Sequence, residues 1–118
     1  MGVGLRIELE EVEQRVILRI DGRIDAASAP ILDRKINSLI DEQHTHLILD
    51  FTRTDYLSSA GMRVLLSAIK KLKPQKGGVV LFGASEEVLE VIRMAGFDKI
   101  FRIYSSEKEA LQHQSPSK

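Results

Sequence analysis

The stretch Asp50-Phe51-Thr52-Arg53-Thr54-Asp55-Tyr56-Leu57-Ser58-Ser59-Ala60-Gly61-Met62-Arg63-Val64-Leu65-Leu66 decides the fold. The apolar run Leu47-Ile48-Leu49 just before it reads as a central strand, which passes into a polar loop. That loop ends at Ser58-Ser59. An amphipathic helix then spans about Ala60 to Leu72, with Met62, Leu65, Leu66 and Ile69 facing inward. A pair of hydroxyls therefore sits at a helix N-terminus, where free backbone N–H groups and the helix dipole favour negative charge. A serine in that place serves as a cap, a nucleophile or a phosphorylation site, and these residues alone leave all three open.

Upstream of this stretch, Leu5, Ile7 and Leu9 alternate with Arg6, Glu8 and Glu10, the period of a half-buried strand. Val16, Leu18 and Ile20 begin a second strand that ends at Gly22. The polar residues Glu11 to Arg15 between the two suit a hairpin. Ser28 or Ala29 opens a helix with Pro30 in its first turn, where a missing N–H costs nothing. Downstream, Pro74 and Gly77-Gly78 mark the exit of the second helix, and Val79 to Phe82 is another buried strand. Ser85 caps a third helix, Glu86 to Ala95, which Gly96 ends. A short strand, Ile100 to Tyr104, and a last helix from Ser106 to about Gln112 complete the order ββαβαβαβα. Strands separated by helices imply parallel crossovers, and the opening hairpin adds one antiparallel pair. The expectation is an α/β domain over residues 1–113: a mixed, mostly parallel sheet of four to five strands with about four helices. Residues 114–118 form a frayed tail.

The 118 residues suffice for one domain with its own core, and 43% hydrophobic with 29% charged residues excludes a disordered chain. A net charge of zero argues against nucleic-acid binding by bulk charge. No cysteine is present, which removes disulfides and thiolate chemistry. The N-terminus lacks the pattern of a signal peptide, and no apolar run approaches the ~20 residues a membrane helix needs. A cytoplasmic protein that touches neither nucleic acid nor membrane is the default, with monomer as the starting assumption.

Catalytic motifs are weak. A nucleophile elbow needs Gly-x-Ser-x-Gly, and Leu57 stands where the first glycine belongs. His44 and His46 precede the central strand, so a parallel unit places them a strand length from Ser59. With no third histidine or cysteine nearby they read as solvated loop residues, not metal ligands. Neither phosphate-binding glycine motif occurs, and no cofactor is expected. Arg63, Lys70, Lys71, Lys73 and Lys76 lie in a segment free of acids, a solvated face that also suits an acidic partner.

Three segments carry a resemblance. The strand, polar loop and Ser58-Ser59-Ala60-Gly61-Met62-Arg63-Val64-Leu65-Leu66 resemble the signature of STAS domains, in particular the small stand-alone anti-sigma factor antagonists. Asp21-Gly22-Arg23-Ile24-Asp25-Ala26-Ala27-Ser28-Ala29 is similar to the family's Gly-x-Leu/Ile-Asp-x-x-x-Ala motif. Met94-Ala95-Gly96-Phe97 is similar to its Gly-Leu/Phe before the last strand. The matches run in order over nearly the whole chain. The resemblance implies partner switching without enzymatic activity. An unphosphorylated antagonist binds an anti-sigma factor, a serine kinase of the histidine-kinase-like ATPase fold, and so releases a client. Phosphorylation abolishes binding, and a PP2C-type phosphatase reverses it. By position the phosphoacceptor is Ser59, with Ser58 second. Ser58 stands where the family often has an acid, and Ala60 where it often has a second hydroxyl. The implied partner surface comprises Asp25, Ser58, Ser59, Ala60, Gly61, Met62 and Arg63. For Asp25 a turn or cap aspartate is the structural alternative. Leu57 reads as core, with Tyr56 and Met62 as an apolar rim. The rival readings are a STAS scaffold or ligand-binding module that does not switch, and a small serine hydrolase.

Overall fold

The computed structural model describes residues 4–114. Its elements are β1 (Leu5–Val12), β2 (Arg15–Ile24), α1 (Ala29–Asp41), β3 (His46–Leu57), α2 (Ser59–Leu72), β4 (Gly78–Phe82), α3 (Glu86–Met94), β5 (Arg102–Tyr104) and α4 (Glu107–His113). The strands lie side by side in chain order, with β1 antiparallel to β2 and every later pair parallel. This is the expected mixed α/β sheet.

Three local expectations need correcting. The hairpin link is a two-residue turn, Glu13-Gln14, with φ of 52° and 66°. Positive φ at both central positions matches the right-handed twist of the flanking strands, and here residues other than glycine supply it. Gly22 does not end β2 but lies inside it at a break in register with β3. Its φ is 116°, and a Cβ there would lie 2.0 Å from the Gly4 carbonyl oxygen. Finally, the polar segment after Leu49 is strand as far as Leu57. It stays paired because Thr54 is buried and its hydroxyl donates to the Ile20 carbonyl at 2.9 Å. The Asp50 carboxylate accepts the Thr52 N–H and hydroxyl across the register shift.

The two faces of the sheet differ. One buries Leu18, Ile20, Leu49, Phe51 and Leu81 beneath Leu32 and Ile36 of α1, Leu65 and Leu72 of α2, and Val88 and Ile92 of α3. On the other, Ile17, Ile48, Val80 and Phe82 are covered by Ala110 of α4. That helix has only seven residues. Beyond it the second face stays open as a cleft of about 390 Å³ among Arg6, Glu8, Arg19, Asp21, Asp50, Thr52 and Arg53.

Gln114 corrects the expected tail. It is buried, and its side-chain amide donates to the carbonyls of Leu47 and Gly78, at 2.9 and 3.2 Å. Arg15 Nε donates to its carbonyl at 2.7 Å. Residues 115–118 lie outside the described residues.

Candidate functional site

β2 and β3 end together, Ile24 paired with Leu57, at the C-terminal edge of the parallel strands. Open α/β sheets present binding sites at that edge. The Ser58 N–H donates to the Ile24 carbonyl at 2.9 Å, which carries the chain directly from strand to helix. Ser58 is extended, and its hydroxyl accepts the Gly61 N–H at 3.2 Å, a side-chain N-cap. Its carbonyl accepts the Met62 N–H at 2.9 Å.

The adjacent hydroxyls therefore have different environments. Ser58 is partly buried and occupied by capping. Ser59, the first helical residue, is exposed, and its hydroxyl makes no hydrogen bond among the described residues. Ala60 is half-buried beside it and Arg63 is exposed one turn on. Gly61 and Met62 are buried, the Met62 side chain within the core. Of the expected partner surface, these two shape the site from beneath. A Cβ on Gly61 would lie 2.6 Å from Ile24 Cγ2 and 2.7 Å from Leu57 Cδ1. The helix thus approaches the strand ends as closely as a residue without a side chain permits. Leu57 is core, as expected.

Asp25 organises the neighbouring loop. Its Oδ1 accepts the backbone N–H groups of Ala27 (3.1 Å) and Ser28 (2.9 Å) and the Ser28 hydroxyl (3.1 Å). The Ser28 hydroxyl also lies 2.6 Å from the Arg23 carbonyl and accepts the Asp25 N–H at 2.9 Å. The hydrogen bonds from Ser28, backbone first, hold the Asp25 carboxyl below the usual aspartate value. So Asp25 is a turn aspartate whose other oxygen does not enter these bonds.

Sequence reasoning missed two features here. The Arg23 guanidinium sits over the ring of half-exposed Tyr56, 4.4 Å from its centroid. Arginine and tyrosine are typical interface anchors, and here they stack on one another at the surface. They are cross-strand partners in β2 and β3, a relation visible only once the register is known. On the open face, Arg19 bonds Glu10 (2.8 Å), Asp50 (3.0 Å) and Glu107 (2.7 Å). A charge within each of two apolar strand runs was the available signal.

The histidines lie elsewhere. His46 starts β3 at the far edge of the sheet, and His113 stacks on Tyr104 at 5.2 Å. Among the described residues no cluster of His, Cys, Asp or Glu forms a metal-binding group, and no helix is long and apolar enough to cross a membrane.

A strand-edge serine at a helix start, on a sheet of this order, defines a class, and the family model described as STAS domain matches residues 6–110. The chain belongs to the STAS domain family. Its relatives narrow the comparison. It is 30% identical over 106 residues to BtrV of Bordetella bronchiseptica, covering 90% of this chain and 91% of that one. It is 31% identical over 96 residues to the anti-sigma-F factor antagonist RsfB of Mycobacterium tuberculosis, covering 80% and 77%. Among solved structures, the anti-sigma factor antagonist SpoIIAA in its unphosphorylated form superposes with a TM-score of 0.79 at 25% identity, over 91% of this chain and 94% of that one. The phosphorylated form of the Bacillus protein superposes with a TM-score of 0.70 at 23% identity, over 91% and 97%.

Proposed function

We propose that this protein is an anti-sigma factor antagonist that works by partner switching in the cytoplasm, with Ser59 as its phosphorylated residue. Unphosphorylated, it binds an anti-sigma factor that is also a serine kinase of the histidine-kinase-like ATPase fold, and the bound factor releases its client. Phosphorylation of Ser59 abolishes binding, and a PP2C-type phosphatase restores it. The protein itself catalyses nothing. The observation that carries this reading is the free, exposed Ser59 hydroxyl beside a Ser58 hydroxyl already engaged as the helix cap.

The electrostatics support a switch that leaves the fold intact. A phosphate adds about −1.5 to −2 charges. At the first position of α2 the helix dipole and free N–H groups favour that charge. A partner packed over Ser59 has to desolvate the same dianion. A loss of only about 3 kcal/mol weakens binding more than ~100-fold. Asp25, Ala60, Arg63 and the Arg23–Tyr56 stack supply the surrounding surface, with Gly61 and Met62 setting its shape from below.

The test is intact-mass spectrometry after incubation with ATP, Mg²⁺ and the switch-type kinases of the source organism. One phosphoryl addition mapped to Ser59, absent in Ser59→Ala, is expected. Ser59→Asp should lose kinase binding by more than ~100-fold while keeping its thermal transition. Labelling that persists in Ser59→Ala, or unchanged binding by Ser59→Asp, would reject the assignment.

A further inference from the structure

The two edges of the sheet are built differently. β5 has three residues, too short to template another strand, whereas β1 has eight. The β1 pairing with β2 runs unbroken from Leu5↔Gly22 to Val12↔Arg15, so no bulge turns the edge away. β1 holds no proline, and Leu9 is 44% exposed on it. Sheet edges left this regular are templates for another strand.

The main-chain groups that β1 offers follow from the hairpin. Val12 and Arg15 flank a two-residue turn and so form a hydrogen-bonded pair. Every second residue then bonds to β2, which the Gly4 carbonyl does at 2.7 Å to the Arg23 N–H. The N–H and C=O groups of Leu5, Ile7 and Leu9 therefore point outward from the edge.

We infer that β1 pairs antiparallel with β1 of a second copy of this chain, about a two-fold axis at Ile7. In that register Ile7 faces Ile7 and Leu5 faces Leu9 as hydrogen-bonded pairs. Arg6 faces Glu8 twice, in the pairs whose side chains approach most closely. Shifting two residues one way sets Arg6 against Arg6, and two the other way sets Glu8 against Glu8. Odd shifts set charged residues against Leu5, Ile7 and Leu9. Of the registers centred on Arg6, Ile7 and Glu8, only the one at Ile7 is free of like-charge opposition, and it uses the outward main-chain groups. Within one copy Arg6 and Glu8 already lie 3.2 Å apart, with side chains 77% and 70% exposed, so both are available without disturbing the core. The product is one sheet continuous across two copies, with an isologous interface. This pairing departs from the monomer taken as the default from sequence.

Sedimentation equilibrium of the full chain up to about 1 mM tests the pairing, with charge reversals as its register check. The wild type is expected to self-associate. Arg6→Glu and Glu8→Arg should each weaken that by at least about tenfold, because either change places like charges opposite twice. The two variants mixed together should form a heterodimer, and the double variant R6E/E8R should recover wild-type association. A wild type monomeric throughout, or a dimer indifferent to both reversals, would overturn the inference. Ser59→Asp should leave the association unchanged, since Ser59 follows β3, two strands from the edge. The dimer and the phosphorylation reading therefore fail separately.

Discussion

The Ser28 hydroxyl is fully enclosed and lies within hydrogen-bond reach of the Arg23 carbonyl and of both the backbone and side chain of Asp25. Ser28→Ala should cost about 1–3 kcal/mol in urea denaturation, since it strands buried polar partners. Asp25 adds a pH dependence of definite sign. Its folded value lies below the ordinary one, so its contribution is present above about pH 4 and is lost as the pH falls through the folded value. Asp25→Asn should flatten the acid limb of the stability curve. At the serines, Ser58→Ala should cost about 1 kcal/mol by removing the cap. It should leave the phosphoryl addition in place, which intact mass would report. Adjacent serines before a helix are indistinguishable as letters. Only the hydrogen bond from Gly61 N–H to Ser58 separates cap from free hydroxyl.

At the level of elements, α2 depends on the missing side chain at Gly61. Alanine is the better helix former by about 1 kcal/mol. Here its methyl would lie 2.6 and 2.7 Å from the buried side chains of Ile24 and Leu57, which would have to shift. Overpacking of about 1–3 kcal/mol should win, so Gly61→Ala lowers the urea midpoint and displaces the start of α2. Partner affinity should fall with it, measured by titration calorimetry at a temperature where the variant is folded. Helix positions were legible because caps and apolar stripes are local: Ser58, Ser85 and Ser106 all cap helices. Strand ends were less legible. The segment after Asp50 has the polarity of a loop, and pairing with β2 makes it strand. The Glu13-Gln14 turn carries none of the glycine or asparagine that ordinarily announces positive φ.

Across the whole molecule, Arg19 ties β1, β2, β3 and α4 through Glu10, Asp50 and Glu107. Burial opposes the charge on Asp50, but hydrogen bonds from Thr52 and Arg19 outweigh it and keep its carboxyl below the ordinary value. Arg19→Met should cost about 1–3 kcal/mol at pH 7. That is less than a fully buried pair would lose, because Arg19 keeps 26% of its side-chain surface. The cost should shrink as the pH falls through the depressed value of Asp50, where the wild type loses the same attraction, and urea titrations stepped from pH 7 down the acid limb would show it. The α/β class and helix order follow from local periodicity. This ion cluster joins residues 31 and 88 positions apart, a relation no local pattern encodes. Gln114, fastened at the starting ends of β3 and β4, also gives the molecule a handle. The pole it marks lies away from Ser59, so a copy immobilised through that pole, for instance by a probe on the exposed Lys76 nearby, presents Ser59 to solution.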